Sequence, residues 1–120
     1  MLYILQVESK GRGVFSDIKL SQGSTIEDSP ILLIHSLDTP LVEKTNLVNF
    51  IYNWKSGESA IGLGYASLYN HSDNPNAEFV KNFDTQMIKI KALRNLNRDE
   101  EITIDYRLDD APLWFENKEK

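Results

Sequence analysis

Turn-forming residues interrupt the hydrophobic pattern of this chain every few positions, which favours short strands over long helices. Residues 2–7 form one apolar run of strand length. Residues 77–81 and 86–92 look like a strand pair, because the second run nearly alternates apolar and charged side chains. The run 101–106 alternates as well. Short strands at this density predict a mainly β fold.

One segment has the spacing of a helix instead. Between residues 47 and 54, apolar side chains recur at positions i, i+3, i+4 and i+7. Asn46 is suited to cap the first turn and Gly57 to end the helix. The apolar positions are Leu47, Phe50, Ile51 and Trp54.

The bulk properties place the chain among soluble globular proteins. With 120 residues, 41% of them hydrophobic and 26% charged, it fits one domain. It has no cysteine, which excludes disulfides and cysteine-bound zinc, and its two histidines are too few for a histidine metal cluster. The apolar runs are too short to cross a bilayer, and no signal-peptide pattern opens the sequence. We therefore expect an intracellular, soluble protein of the cytoplasm or nucleus, without a membrane partner.

The net charge of −5 is concentrated at one end of the chain. Residues 99–120 hold eight acidic and three basic side chains, whereas the first 98 residues hold ten of each. Nucleic-acid binders usually carry a basic patch, so we expect no direct nucleic-acid binding. An acidic C-terminal surface favours a basic peptide as partner. The alternative is a solvated tail that only increases solubility.

Three short motifs carry the candidate chemistry. Residues 11–13, Gly-Arg-Gly, allow unusual backbone angles and close approach of a ligand. Residues 69–76, Tyr-Asn-His-Ser-Asp-Asn-Pro-Asn, are a polar loop that follows the apolar run 60–69. Residues 100–106 are an extended run that ends in Tyr106. Taken singly, each has an ordinary structural explanation, namely a tight turn, a hydrogen-bonded loop and a packed tyrosine.

In this order, the three motifs resemble the SET domain family of S-adenosylmethionine-dependent protein-lysine methyltransferases. KGRGVFS is similar to the family's GxG motif, YNHSDNPNA to its NHSxxPN motif and EEITIDY to its closing E-[LI]-x-x-x-Y motif. The likeness covers about residues 9–106 and is greatest to the short stand-alone viral and bacterial members. It implies a β-clip-like fold of small curved sheets, with one or two short helices and a C-terminal pseudoknot-like threading. Residues 1–120 would be a single SET domain with a core of about 9–107, and 108–120 would be a C-terminal segment able to act as a lid.

The resemblance also implies roles for individual residues. The main chain of residues 11–13 would line the methionine end of the cofactor, Asn70 would bond its amine, and the His71 backbone would meet its adenine. Tyr106 would be the catalytic hydroxyl where the cofactor and lysine pockets meet. No metal is implied. The cofactor-binding candidates are Lys10, Gly11, Arg12, Gly13, Tyr69, Asn70, His71 and Trp114. The substrate-channel candidates are Tyr52, Tyr65, Ile104 and Asp105, with Tyr69 as a further wall.

The sequence departs from the family pattern in three places. Ser67-Leu68-Tyr69 stands where many members have an Arg-Phe-Ile-type run, so the cofactor carboxylate would be held from elsewhere, by Lys10 or Arg12. Ile104 stands where many members carry Phe or Tyr, which leaves the number of methyl groups added open. The cysteine-rich tail of many members is absent. Residues 113–115, Leu-Trp-Phe, would replace it as a lid, or would form a homodimer contact.

Two classes of function follow. The first is an enzyme that methylates lysine in a protein or basic peptide, with histones as one candidate substrate and histone modification as the outcome. The second is a SET-like binding or scaffold module without turnover. The presence of Asn70, His71 and Tyr106 together favours the enzyme, because an inactive relative would be free to lose any of them.

Overall fold

The computed structural model describes residues 1–109, and most of their regular structure is strand. Helical structure in this range is limited to one short α-helix and three short 3-10 segments. These are α1 (Thr39–Val42) and the 3-10 segments Asn46–Phe50, Ala66–Leu68 and Tyr106–Leu108. The strands are β1 (Leu2–Val7), β2 (Gly11–Ser16), β3 (Thr25–Ile34), β4 (Ile51–Asn53), β5 (Ser59–Gly62), β6 (Asn70–His71), β7 (Ala77–Asn82), β8 (Met87–Ala92) and β9 (Glu101–Ile104). The predicted mainly β fold with few short helices is confirmed.

The strands form two sheets with the orders β1-β2-β9-β6 and β4-β5-β3-β8-β7. The pairing of β6 with β9 is parallel, whereas the other strand pairs of residues 1–109 are antiparallel. Asn70 lies opposite Thr103, and His71 lies opposite Ile104. This parallel pairing brings the polar loop and the closing motif side by side.

Alternation along the strands supplies the core. Ile88 and Ile90 of β8 and Ile102 and Ile104 of β9 are buried, with an intervening residue between the members of each pair. Successive side chains of a strand point to opposite faces, so each pair lies on one face. These four residues pack with Val14 of β2 in the same hydrophobic cluster. Because β9 lies between β2 and β6 and its isoleucines are buried, its C-terminal end is fixed in the first sheet.

Several predicted strands are confirmed, and one is shorter than expected. Residues 2–7 form β1, and β7 pairs with β8 in antiparallel register from Ala77 opposite Ala92 onward. The run predicted over 101–106 ends at Ile104. Asp105 then caps a 3-10 turn, with its Oδ1 accepting from the Arg107 backbone N–H at 2.9 Å. Tyr106 therefore leaves the sheet on this turn.

The helix predicted over residues 47–54 is wrong. Residues 46–50 form a 3-10 segment, and the chain then becomes β4, which pairs with β5. Tyr52 and Trp54, two residues apart, are buried, whereas Leu47 is 42% exposed. Apolar positions of this segment therefore fit a strand period as well as a helix period, and pairing with β5 decided between them. The 3-10 segment is capped by Thr45 rather than Asn46.

Candidate active site

A cleft of about 750 Å³ opens where β2, β4, β6 and the end of β9 come together. Its volume is within the roughly 300–1,000 Å³ usual for ligand pockets. Most of the residues singled out from the sequence line it: Lys10, Gly11, Arg12, Tyr52, Tyr69, Asn70, His71, Ile104 and Tyr106. Three other candidates, Gly13, Tyr65 and Asp105, are not among the described residues that line it. The remaining candidate, Trp114, lies outside the described residues, as do the whole segment 113–115 and the expected C-terminal threading.

The two glycines of the first motif serve different purposes. Gly11 has a φ of +82°, a left-handed conformation that glycine adopts readily, and it lies where the chain turns from β1 into β2. Gly13 is needed for space. A Cβ atom there would lie 2.6 Å from Glu101 Oε2 and 3.1 Å from Asn70 Nδ2. Val7 Cγ2 would lie 2.8 Å away, so the close approach at Gly13 is to side chains of β1, β6 and β9.

The Asn70 side chain is held by two acceptors. Its Nδ2 donates to the Arg12 carbonyl oxygen at 3.1 Å and to Glu101 Oε2 at 2.7 Å. Since both partners can only accept, the amide nitrogen must be the atom that faces them. The amide oxygen then points away from Glu101. With respect to residues 1–109, this arrangement leaves Oδ1 free to accept a hydrogen bond from a ligand cation.

Glu101 is a functional candidate that was not singled out from the sequence. It begins β9, its side chain is 19% exposed, and its Oε1 lies 4.0 Å from Lys10 Nζ. Ile102 and Ile104 are buried, so the alternating pattern places Glu101 on the opposite face of the strand, where a solvated glutamate is usual. The pattern alone therefore does not mark Glu101 as functional. Only its position inside the closing motif gave a signal.

Tyr106 is held through both its backbone and its side chain. Its hydroxyl donates to the Tyr69 carbonyl oxygen at 2.5 Å, and its backbone N–H donates to His71 Nδ1 at 3.0 Å. Partial burial and the nearby Glu101 carboxylate raise the pKa of the Tyr106 hydroxyl. The hydroxyl therefore keeps its proton at neutral pH, with its oxygen lone pairs available in the cleft.

The hydrogen bonds of His71 define its tautomer. Because Nδ1 accepts from Tyr106, the ring proton of the neutral form is on Nε2, which lies 2.7 Å from Asp73 Oδ1. Asp105 lies 3.6 Å from Nδ1 but is bound to Arg107 through Oδ1 and Oδ2, at 2.9 and 2.8 Å. The Arg107 hydrogen bonds lower the pKa of Asp105 to about 2. Asp105 therefore orders the turn that carries Tyr106, and its carboxylate is directed at Arg107.

The tyrosines considered as channel walls direct their hydroxyls into the protein. Tyr52 donates to the Ala66 carbonyl oxygen at 2.6 Å, and Tyr69 donates to Glu27 Oε1 at 2.8 Å. Burial raises the pKa of both hydroxyls. Tyr52 and Tyr69 are only 6% and 1% exposed, so each adds little surface to the cleft. The Tyr65 hydroxyl lies 3.4 Å from the Leu2 carbonyl oxygen and turns toward β1.

The cleft wall beside Tyr52 is otherwise apolar. Its residues lie in segments that the sequence analysis did not connect with function. The Tyr52 and Phe79 rings pack edge to face, with centroids 5.3 Å apart. The other apolar lining residues of this wall are Val48, Phe50, Ile51, Ala66 and Leu68. At the rim, Asp109 Oδ1 pairs with Lys81, and Asp109 Oδ2 accepts from the Asn53 backbone N–H at 3.0 Å. These contacts fix the end of the described chain beside the apolar wall.

Residues 1–109 contain no cluster of three or more His, Cys, Asp or Glu side chains suited to hold a metal ion. Within the same range, no helix has the length and apolar character needed to cross a membrane.

Comparison with known proteins connects this geometry to a family. The model of the SET domain family matches residues 11–107. A curated relative from Schizosaccharomyces pombe, described as a histone-lysine N-methyltransferase specific for lysine 37 of histone H3, is 31% identical over 118 residues, which cover 98% of this chain and 78% of the relative. A crystal structure from Plasmodium falciparum, described as a candidate histone methyltransferase, superposes with a TM-score of 0.72 at 31% identity. It covers 88% of this chain and 96% of the other.

Proposed function

Because the chain belongs to the SET domain family of protein-lysine methyltransferases, we propose that it uses S-adenosylmethionine to methylate a histone lysine. The observation that supports this most strongly is one cleft lined by Asn70, His71 and Tyr106 together. The family implies use of this methyl donor. The assignment of individual residues to the donor and to the substrate is our proposal.

The donor set of the cleft suits the amino-acid end of S-adenosylmethionine. Asn70 Oδ1 is oriented to accept from an ammonium group, because Nδ2 is held by Arg12 and Glu101. Lys10 and Arg12 line the same end and offer cations for a carboxylate. We assign the backbone of Gly11, Arg12 and His71 to the remaining contacts, whereas the Tyr69 side chain is buried. When bound, the cofactor supplies an electrophilic methyl group on a sulfonium.

The opposite end of the cleft suits a lysine side chain. Free lysine has a pKa of about 10.4, and only its neutral amine can attack a methyl group. The apolar wall around Tyr52 and Phe79 disfavours the ammonium form. The Tyr106 hydroxyl oxygen and the Tyr69 carbonyl lie 2.5 Å apart and can orient the neutral amine. Positioning for in-line transfer is then the main contribution of the protein.

Histones are the substrate class we put first. Both relatives described above are named for histone methylation. The acidic excess of residues 99–120 suits a basic substrate. We extend the proposal to histone H3 and to lysine 37 as the first position to test, because the fission yeast relative is named for it. We also propose that the protein acts inside the cell and that residues 1–120 form one SET domain.

A transfer assay tests this function. The full chain is incubated with methyl-labelled S-adenosylmethionine and histone H3, or with H3 peptides that carry either lysine or arginine at position 37. We expect label on the lysine peptide and on H3, and a loss of at least about a hundredfold for Tyr106→Phe. Label on H3 but not on the lysine peptide would show that the methylated lysine is not at position 37, while the histone methyltransferase activity would stand.

Two outcomes of this assay would contradict the proposal. Cofactor binding without transfer to H3 or to a broad panel of basic proteins would favour the binding or scaffold module. Absence of cofactor binding in the wild-type chain would contradict the proposed function altogether.

A further inference from the structure

Glu101 lies directly behind the Asn70 side chain, away from the cleft. Its Oε2 accepts from Asn70 Nδ2 at 2.7 Å, and its Oε1 lies 4.0 Å from Lys10 Nζ. Among the residues that the structure describes, Glu101 is not part of the cleft lining. The glutamate therefore contacts two of the cofactor-binding candidates without reaching the ligand space itself.

Gly13 of the first motif leaves space for the Glu101 carboxylate because it has no Cβ. A Cβ at position 13 would lie 2.6 Å from Glu101 Oε2, closer than non-bonded atoms allow. The glycine at position 13 thus permits the contact between Glu101 and Asn70. Three residues far apart in the chain, Gly13, Asn70 and Glu101, form one packed unit.

The carboxylate also decides which way the Asn70 amide faces. An amide that rotates by half a turn exchanges its oxygen and nitrogen at little cost unless its partners discriminate between them. Glu101 discriminates strongly, because a carboxylate accepts from an N–H and repels an amide oxygen. The Arg12 carbonyl adds a second acceptor on the same side. Together they exclude the rotamer that would present the amide N–H groups to a ligand cation.

We propose that Glu101 is a positioning residue that orients the Asn70 amide oxygen toward the ammonium group of the cofactor. Its negative charge, directly behind Asn70, also favours a cation at this end of the cleft. Lys10 neutralises Glu101 only in part, because its ammonium lies 4.0 Å away and is 43% exposed. The inference rests on the proposed role of Asn70 in binding the cofactor.

A pair of ligands isolates this effect. S-adenosylhomocysteine contains the ammonium group, whereas 5′-methylthioadenosine keeps the adenosine and thioether but lacks the amino-acid end. Both are titrated into wild type, Glu101→Gln and Glu101→Ala. We expect Glu101→Ala to lower the affinity for S-adenosylhomocysteine by about tenfold or more, the loss typical of a charge-assisted hydrogen bond. The affinity for 5′-methylthioadenosine should change by less than about twofold. Glu101→Gln should lie between wild type and Glu101→Ala, because its side-chain oxygen can still accept from Asn70.

The neighbouring glutamate provides a matched control. Glu100 points away from the site, with one carboxylate oxygen bound to the Arg94 guanidinium and the other accepting from the Asn97 backbone N–H at 3.0 Å. Glu100→Ala removes the same functional group one residue away. It should leave both ligand affinities within about twofold of wild type.

A double-mutant cycle tests the route through Asn70. If Glu101 acts mainly by orienting that amide, the loss of S-adenosylhomocysteine affinity caused by Glu101→Gln should be clearly smaller in an Asn70→Ala background, where only the direct effect of the charge remains. This comparison uses the milder substitution, so it does not depend on Glu101→Ala folding. The retention of 5′-methylthioadenosine binding reports that the cleft is intact in each variant.

Different outcomes separate this inference from the proposed function. Unchanged S-adenosylhomocysteine affinity in both Glu101 variants would overturn the positioning role, and so would equal weakening of the two ligands, which indicates general damage to the cleft. A full effect of Glu101→Gln in the Asn70→Ala background would overturn the route through Asn70. If the wild-type chain bound neither ligand, the proposed function itself would fail.

Discussion

The two ends of the cleft are built on different principles. The proposed cofactor end, made of Lys10, Arg12 and Asn70 with Glu101 behind them, depends on a few directional hydrogen bonds and charges. The proposed lysine end, made of Tyr52, Phe50 and Phe79, depends on apolar rings, and the Tyr52 hydroxyl is directed into the core.

Tyr106 lies between the two ends. Its backbone bonds to His71 and its hydroxyl to Tyr69. The cofactor end should therefore be sensitive to the loss of a single polar group, and the lysine end should tolerate changes that keep its volume.

The largest expected effect separates binding from turnover. Tyr106→Phe should lower kcat by at least about a hundredfold with little change in cofactor affinity, because in the proposed arrangement the hydroxyl faces the reacting groups. Asn70→Ala should instead weaken cofactor affinity by about tenfold or more. Steady-state kinetics together with calorimetric titration of S-adenosylhomocysteine measure both quantities.

The matched control for this comparison is Tyr65→Phe. The Tyr65 hydroxyl is directed at the Leu2 carbonyl oxygen, outside the cleft. We expect kcat within about twofold of wild type, the size of effect usual for a substitution away from the chemistry. A loss equal to that of Tyr106→Phe would place Tyr65 in the substrate channel, as the sequence suggested.

Alanine substitutions at the two glycines of the first motif, Gly11 and Gly13, should have different effects on stability and cofactor affinity. Gly13→Ala would force its Cβ against Glu101, Val7 and Asn70, so it should weaken cofactor binding and cost about 1–3 kcal/mol of stability. Gly11→Ala meets no atom within 4 Å, so its cost should be about 1 kcal/mol from the strained φ alone, with cofactor affinity retained. Urea unfolding and S-adenosylhomocysteine titration distinguish them, and equal affinity losses would contradict the division of roles.

Removal of residues 113–120 tests the proposed lid. If Trp114 and Phe115 cover the cofactor, the truncated chain should bind S-adenosylhomocysteine about tenfold more weakly, as expected for the loss of one buried aromatic contact. The unfolding midpoint should stay close to that of wild type.

The rival explanation for residues 113–120 is a homodimer contact. In that case, truncation would change the mass measured by light scattering and leave the affinity unchanged.

The smallest effect concerns the turn that carries Tyr106. Arg107 lowers the pKa of Asp105 to about 2, so ionised Asp105 stabilises the folded state above the ordinary aspartate pKa of about 4. This contribution is lost as the pH falls from about 4 through about 2. Asp105→Asn should therefore lower the Tm at pH 7, and the difference from wild type should disappear near pH 2. A difference that persists at pH 2 would point to packing rather than charge.

Local pattern was enough to predict much of the fold. Alternation predicted the pair β7 and β8, and a short apolar run predicted β1. It was not enough between residues 47 and 54, where Tyr52 and Trp54 fit a strand and Phe50 with Trp54 fit a helix. Pairing with β5 settled that segment, and pairing partners are distant in sequence.

The sequence by itself determined the family, the order of the motifs and the identities of Asn70, His71 and Tyr106, because these depend on residue type and spacing. Only the tertiary structure decided that Asn70 lies beside Thr103, that Glu101 holds the Asn70 amide and that the Tyr65 hydroxyl turns away from the cleft. The physical reason is that strand register joins residues far apart in the chain, and a shift of one residue would direct every side chain of a strand to the other face.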